Sequence, residues 1–266
     1  MYNPENLFSL KGKTALITGA TGHLGRAIAY IFAESGAHVI LNARCREQVS
    51  ELVGQMNALG LSAEGAVFDI RSQIEIRDFA HSLSQNPLNV LVNNAYSGGA
   101  GTIETCDEEQ YLLAHEATTL AAHRMLVSLL PNIRRAVMQA KDASIINIAS
   151  MYGIVSPNQR IYDNPIDANP PFYGAAKAAL IQWTRYAACE FARESIRINC
   201  ISPGPFPRRE VVAKREKLIS ELKSRIPMGR VAAADEIKGP ALFLASSAST
   251  FVTGANIVVD GGWSCW

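Results

Sequence analysis

The chain has 266 residues, of which 48% are hydrophobic and 18% charged, a composition that allows a large core and excludes a disordered chain. Its 25 basic and 24 acidic side chains give a net charge of +1, so neither nucleic acid nor an acidic membrane surface is an expected partner. The five cysteines are widely spaced and odd in number, which favours reduced thiols. With no signal-like apolar stretch at "MYNPENLFSLKGK" and no apolar run near the ~18 residues of a membrane span, we expect a cytoplasmic protein without a membrane partner.

Short runs rich in β-branched residues alternate with longer segments of helical periodicity along the whole chain. This alternation predicts an α/β fold, in which a Rossmann-like, doubly wound, seven-stranded parallel sheet is covered by helices in three layers. No internal repeat or linker interrupts the pattern, so residues 1–266 are predicted to form a single domain. The predicted strands are 14–18, 38–43, 66–69, 89–94, 144–150, 197–202 and 256–260.

The first predicted strand, "TALIT", leads directly into "GATGHLG" and then into a helix-like segment. Glycines in a strand-to-helix turn let the backbone approach a pyrophosphate, and the helix N-terminus favours its negative charge. The pattern therefore predicts a dinucleotide site and a single NAD(P)-binding domain, although a tight turn without a ligand is the alternative. The candidate residues of the turn are Gly19, Thr21, His23, Leu24 and Gly25.

The second predicted strand ends at "NARCRE", where a carboxylate for the adenosine ribose is normally expected. Ala43 and Arg44 occupy this position, and no acidic residue follows until Glu47. A guanidinium at this place can pair with a ribose 2′-phosphate. The sequence therefore predicts that NADP(H) is preferred over NAD(H), unless Arg44 is only a solvated loop charge.

A tyrosine and a lysine stand four residues apart in "YGAAK", early in an apolar helical segment. At that spacing Tyr173 and Lys177 share one face of a helix. A tyrosine has an ordinary pKa of about 10, so acting as a base near neutral pH requires a shift of roughly three units. A nearby ammonium and the helix N-terminus act in that direction. Ser150, at the end of the strand "INIAS", is predicted to place its hydroxyl at the same edge of the sheet.

These and further motifs resemble the short-chain dehydrogenase/reductase family over essentially the whole chain. The resemblance implies an enzyme that transfers hydride between NAD(P) and a small-molecule carbonyl or alcohol substrate, in a homotetramer or homodimer. The motifs are "LKGKTALITGATGHLG", Asp69 in "FDI", "NNA" at 93–95, Ser150, "YGAAK", "RINCISPG" at 197–204 and "VTGANIVVDGG" at 252–262.

The same resemblance implies a role for each matching residue. Tyr173 would be the general acid/base, Lys177 would lower its pKa and bind the nicotinamide ribose, and Ser150 would hold the substrate oxygen. The remaining implied cofactor contacts are Asp69 and Ile70 beside the adenine, Asn94 and Ala95 along the groove, and Pro203 and Gly204 at the nicotinamide side.

Four positions depart from the family pattern. The loop has the pattern T-G-x-x-G-x-x-G, so His23 stands where single-domain members usually have glycine. Tyr96 replaces the glycine of "NNAG", and Arg208 lies where a threonine after "PG" is expected. Thr118 takes the place of an asparagine that anchors a proton-relay water, and we assign it provisionally to the catalytic set.

Two loops are predicted to form the substrate rim, at about 151–172 and 203–228. The first is lengthened by "PNQRIYDNPIDANPP", and the chain ends in "DGGWSCW". Together these features resemble a subgroup of the family linked to sugar or sialic-acid-like metabolism, so the substrate is expected to be a sugar or another polar compound. The charged segment 214–225 is either a solvated helix face or a lid over that substrate.

Other classes of function fit the sequence less well. The five histidines form no metal-binding spacing, so no metal is predicted, and no G-x-S-x-G surrounds Ser150 as a hydrolase would require. Two alternatives stay open at this stage. One is a non-catalytic NADP(H)-binding regulator, and the other is a dehydratase or epimerase that uses the same tyrosine base.

Overall fold

A seven-stranded, wholly parallel sheet forms the centre of the protein in a computed structural model that describes residues 4–266. The strand order is β3-β2-β1-β4-β5-β6-β7, with helices on both faces, so the predicted doubly wound Rossmann-like fold is confirmed. The strands are β1 Thr14–Thr18, β2 His38–Ala43, β3 Ala63–Val67, β4 Val90–Asn93, β5 Ala143–Ile148, β6 Ile196–Pro203 and β7 Asn256–Val259.

The third strand is the one whose position differs most from the sequence prediction. It spans Ala63–Val67 rather than 66–69, and it lies at the edge of the sheet, bonded only to β2. An edge strand need not be apolar on both faces, and here Glu64 and Gly65 are exposed. The apolar run therefore begins too late in the sequence to mark where the strand starts.

Residues 4–266 contain ten helices and one π-helical segment at Glu116–Leu120. Helix α2 begins at His23, directly after the glycine loop, and helix α7 carries Tyr173 in its first turn. The helices are α1 Pro4–Leu7, α2 His23–Glu34, α3 Arg46–Ala58, α4 Gln73–Ser82, α5 Glu108–His115, α6 Ala121–Ala140, α7 Pro171–Phe191, α8 Arg209–Lys214, α9 Glu216–Arg225 and α10 Lys238–Ala245.

Two apolar cores, one on each face of the sheet, hold the layers together. Helices α2 and α10 bury Ile28, Phe32 and Leu244 against one face, while α4, α6 and α7 bury side chains such as Leu129 against the other. A third, smaller cluster joins the segment after β5 to helix α9 and to Trp263 near the C-terminus. This cluster orders the predicted substrate rim without a contribution from the sheet.

The strand order reverses between β1 and β4, and this reversal positions the candidate site. In open parallel sheets, ligands bind in the crevice outside the carboxyl ends of the strands at such a switch point. The residues that follow the strands at this edge include Gly19, Arg44, Asn94 and Ser150. Among the described residues, the helices are either too short or too polar to cross a membrane.

Candidate active site

The glycine loop is packed so tightly that no side chain fits at two of its glycines. A Cβ atom on Gly25 would lie 2.2 Å from the carbonyl oxygen of Gly19, and Gly19 itself has a φ of +63°. The Asn94 amide donates to the carbonyl oxygens of Thr18 at 2.8 Å and Gly19 at 3.2 Å. The loop is therefore fixed from both sides, by the first turn of α2 and by the end of β4.

His23 and Arg208 face each other across the start of helix α2. The Nε2 atom of His23 is buried and has no hydrogen-bond partner among the described residues. Burial lowers the pKa of His23, the nearby Arg208 lowers it further, and Glu210 opposes them. Both His23 and Arg208 line the cavity above the loop, so two nitrogen-bearing side chains face the place where phosphates would bind.

The far end of the same cavity is rich in arginine. Asp69 is its one lining carboxylate among the described residues, and Arg71 holds it with an Nη2–Oδ2 distance of 2.9 Å. Hydrogen bonding from Arg71 is the main reason that the pKa of Asp69 lies below its ordinary value. Arg44 is only loosely paired, with its Nη1 atom 4.0 Å from the same carboxylate and its side chain 60% exposed.

The cavity itself has a volume of about 410 Å³ and runs along the carboxyl edge from Arg44 past the glycine loop to Tyr96. Its size lies within the usual range for a cofactor site. The glycine cradle, the unpaired His23 nitrogen and the surplus of positive charge all fit a dinucleotide with its phosphates. The predicted cofactor residues that line it are Gly19, Thr21, His23, Leu24, Arg44, Asp69, Ile70, Asn94 and Ala95.

Ser150, Tyr173 and Lys177 come together beyond the Tyr96 end of this cavity. Ser150 follows β5 and is buried, and its Oγ accepts a hydrogen bond from the backbone N–H of Tyr152 at 3.1 Å. The Lys177 Nζ atom is buried beneath it and donates to the carbonyl oxygen of Ile148 at 2.6 Å. Nζ also lies 5.7 Å from the centroid of the Tyr173 ring.

The electrostatics of this group differ from the expectation for Tyr173. Burial raises the pKa of Tyr173, and hydrogen bonding with Ser150 acts in the opposite direction but is the weaker influence. Burial also lowers the pKa of Lys177 from 10.5 to about 8. In the protein without a cofactor, Tyr173 is thus held as a neutral phenol at neutral pH, the form that donates a proton.

Thr118 lies in the π-helical segment, close to Lys177. Its hydroxyl is buried and donates to the carbonyl oxygen of Ala114 at 2.7 Å, so its hydrogen is already committed. Thr118 and Lys177 line a common space of about 10 Å³, which is close to the minimum that holds one water molecule. The role of Thr118 in a proton relay stays a prediction. Because its hydrogen is engaged by Ala114, its hydroxyl oxygen would take part by accepting a hydrogen bond.

Besides Tyr173 and Lys177, three further predicted cofactor contacts lie outside the open cavity. Gly25 sits beneath the loop, where it makes the close packing possible. Pro203 ends β6, and Gly204 packs against the backbone of Asp260, where a Cβ atom would lie 2.6 Å from the Asp260 Cα. The contact of these two residues with a cofactor stays a prediction.

Sequence reasoning missed several residues that the fold brings into the cavity. Arg71 follows the "FDI" motif directly, and its proximity to Asp69 in the sequence was an available signal. Cys45 and Phe68 likewise adjoin the quoted motifs at Arg44 and Asp69, whereas Gln48 carries no such signal, because its position depends on how β2 packs against α3. Within residues 4–266, no group of three or more His, Cys, Asp or Glu side chains could hold a metal ion.

Comparison with known proteins agrees with this geometry. A family model described as Enoyl-(Acyl carrier protein) reductase matches residues 19–264. The rhamnolipids biosynthesis 3-oxoacyl-[acyl-carrier-protein] reductase of Pseudomonas aeruginosa is 31% identical over 260 residues, covering 96% of this chain and 98% of that protein. The Pseudomonas aeruginosa RhlG/NADP active-site complex superimposes with a TM-score of 0.88 at 30% identity, covering 99% of each chain.

A second solved structure belongs to an enzyme with a different activity. The gluconate 5-dehydrogenase of Burkholderia cenocepacia, in complex with NADP and tartrate, has a TM-score of 0.87 at 27% identity, over 99% of this chain and 100% of that one. The chain belongs to the short-chain dehydrogenase/reductase family and is an NAD(P)-dependent oxidoreductase. The resemblance and the fold expected from the sequence are thus confirmed, and the alternative of a non-catalytic regulator is not supported.

The chemistry available at the site follows from these positions. A nicotinamide bound in the groove supplies or accepts the hydride. Tyr173 is a neutral phenol that can donate a proton to a carbonyl oxygen, and the Ser150 hydroxyl lies within reach to orient the same oxygen. The Lys177 ammonium places positive charge beside the phenol, where it favours the phenolate that forms when the proton leaves.

Proposed function

We propose that this enzyme uses NADP(H) in preference to NAD(H) and reduces the carbonyl group of a small polar substrate, with Tyr173 as general acid. The observation that carries the proposal is the convergence of Ser150, Tyr173 and Lys177 at the end of a groove lined by the glycine loop and three arginines. Tyr173 in its neutral form suits the direction of reduction, in which the carbonyl oxygen takes a proton.

A polar substrate is favoured by the composition and order of the rim. Residues 151–172 fold into three short 3₁₀ turns, fixed by the burial of Met151 and Ile161, and an exposed ion pair joins Asp163 to Lys217. Much of this segment, "PNQRIYDNPIDANPP", carries amide, guanidinium and carboxylate side chains. One structural neighbour, a gluconate 5-dehydrogenase, acts on a polyhydroxylated acid, which supports a substrate of that kind for this enzyme.

The test is a panel of carbonyl compounds offered to the purified protein with NADPH. Keto acids of the gluconate type are compared with 3-oxoacyl thioesters and with simple cyclic ketones, and loss of the reduced-nicotinamide absorbance is followed. We expect turnover with the polar keto acids. Turnover only with 3-oxoacyl thioesters would contradict the proposed substrate class, and NADPH binding without any turnover would contradict the proposed direction.

Arg44 supports the cofactor preference, because its nearest carboxylate is already occupied. Asp69 is held by Arg71 at 2.9 Å, while Arg44 lies 4.0 Å away. An exposed pair at that distance contributes little, so the Arg44 guanidinium is free to bind a 2′-phosphate.

We expect Arg44→Ala to weaken NADPH binding about tenfold or more, since a charged hydrogen bond contributes about 1.5–3 kcal/mol, and to leave NADH binding unchanged. Dissociation constants for both cofactors, measured by calorimetry, check this result. The matched control is Arg46→Ala, which removes an exposed arginine that does not line the cavity. Equal losses for NADPH and NADH, or equal losses in the two variants, would contradict the assignment.

The oligomeric state is proposed from an exposed apolar surface on consecutive helices. Leu112, Val127, Met138 and Tyr186 are each more than half exposed, and they lie on α5, α6 and α7. An apolar side chain exposed on a helix leaves water when a second copy of the chain packs against it, which favours association. We expect a second copy of this chain to cover them in a homodimer or homotetramer, and a monomeric mass at micromolar concentration in light scattering would contradict this.

A further inference from the structure

Tyr96, which stands where the family has glycine, contacts both members of the Tyr173–Lys177 pair. We propose that Tyr96 is a positioning residue of this pair, whose π-face stabilises the Lys177 ammonium and whose ring fixes the ring of Tyr173. The proposal rests on the roles proposed above for Tyr173 and Lys177. It assigns no proton transfer to Tyr96 itself.

The first argument concerns the charge on Lys177. Its side chain is only 4% exposed, and among the described residues it forms no ion pair with a carboxylate. A buried ammonium without compensation is costly. Its stabilising contacts are the Ile148 carbonyl oxygen at 2.6 Å and two aromatic faces, with ring centroids at 5.3 Å for Tyr96 and 5.7 Å for Tyr173. Both rings lie within the range of a cation–π interaction, and the ring of Tyr96 is the nearer.

The second argument concerns the orientation of Tyr173. The two tyrosine rings meet edge to face, with centroids 4.9 Å apart and an interplanar angle of 63°. This is a preferred geometry for an aromatic pair and is favourable beyond simple burial. Tyr96 therefore limits the rotation of the ring that carries the proposed acid.

The chain around Tyr96 is adapted to this tyrosine. The hydroxyl of Tyr96 lies against Gly98, where a Cβ atom would approach it to 2.3 Å, so a residue with a side chain at 98 would displace the ring. That hydroxyl is buried and has no hydrogen-bond partner among the described residues. The contacts on the pair are consequently made by the ring, and a phenylalanine could make them as well.

The groups that face Lys177 are few, which makes its titration interpretable. From α7 they include Tyr173, from the segment after β4 Tyr96, and from the end of β5 the carbonyl of Ile148 with the Ser150 hydroxyl nearby. Thr118 faces it from the π-helical segment and does not titrate. Burial is the cause of the lowered pKa of Lys177, so a lost π-contact should lower that pKa further.

The test is the pKa of Lys177 in the protein without a cofactor, measured by NMR with lysine labelled at 13Cε. The Lys177 signal is identified by its loss in Lys177→Met. We expect Tyr96→Leu, which keeps an apolar side chain and removes the π-face, to lower the pKa by about 0.5–1.5 units. Tyr96→Phe should leave it unchanged. Tyr96→Met serves the same purpose if the leucine variant does not fold.

The control is Tyr111→Leu, the same substitution in an aromatic residue of the same small apolar cluster, with no cation–π contact to Lys177. It should not move the pKa of Lys177. An unchanged pKa in Tyr96→Leu would overturn the proposal, as would equal shifts in the leucine and phenylalanine variants. This measurement needs no substrate, so it stands even if the reductase assay fails, whereas failure of that assay alone bears on the proposed function.

Discussion

Tyr173→Phe is expected to lower kcat by at least about 10²–10⁴-fold while NADPH binds almost as tightly as in the wild type. The substitution removes one hydroxyl and keeps the ring, so the edge-to-face contact with Tyr96 and the fold are retained. General acid/base groups typically contribute a factor of this size. Steady-state rates and NADPH dissociation constants, measured side by side, separate the loss of proton transfer from a loss of binding.

The matched control for this variant is Tyr111→Phe, which removes a hydroxyl from the neighbouring helix α5. It should retain nearly full activity. Because burial raises the pKa of Tyr173, the acid form persists through neutral pH, and reduction should not lose rate there through ionisation of this group. Oxidation of the product alcohol needs the phenolate and should become faster as the pH rises.

Lys177→Met is expected to lower both turnover and NADPH affinity, the latter by about tenfold or more. The methionine fills the buried space but has neither the charge beside Tyr173 nor a donor for a ribose hydroxyl. A loss of turnover with unchanged NADPH affinity would contradict the second role of Lys177. Lys177→Arg is unsuitable as a control, because Lys177 is buried and the guanidinium of an arginine is larger and planar.

Lys177→Met also tests whether the ammonium is buried, through the pH dependence of the free energy of unfolding. The folded-state pKa of Lys177 is about 8, below the ordinary 10.5, so the unfolded chain binds more protons between these values and the free energy of unfolding rises with pH in that window. The rise amounts to about 3 kcal/mol, since one pKa unit corresponds to about 1.36 kcal/mol. Relative to Lys177→Met, the wild type should gain stability from about pH 8 to 10.5, as measured by urea unfolding without cofactor. A constant difference would show that Lys177 is solvated.

Much of the fold could be predicted because buried parallel strands are continuous apolar runs. Strands β1 and β2 begin and end at the predicted residues, whereas β3, at the edge of the sheet, was displaced because one of its faces meets solvent. The doubly wound topology was predicted as a class of fold, but the neighbours of each strand and their register needed the structure, since an apolar run does not identify the strand it pairs with.

The chemistry of the candidate site was visible in the spacing of Tyr173 and Lys177, but its electrostatics were not. The expected lowering of the pKa of Tyr173 assumed a solvated phenol beside an ammonium. In the structure, desolvation is the largest influence, and it acts upward. Burial depends on the packing of α7 against the loops at 96 and 151, which no local pattern encodes.

The most direct test is whether the enzyme transfers a hydride from NADPH to the carbonyl carbon of its substrate. The purified enzyme is given its best carbonyl substrate with NADPH that carries deuterium at the transferable position of the nicotinamide, and the product is analysed by mass spectrometry. We expect one deuterium on the carbon of the new alcohol for the wild type and almost no product for Tyr173→Phe. A product without deuterium, or one formed equally fast by Tyr173→Phe, would contradict reduction by this site.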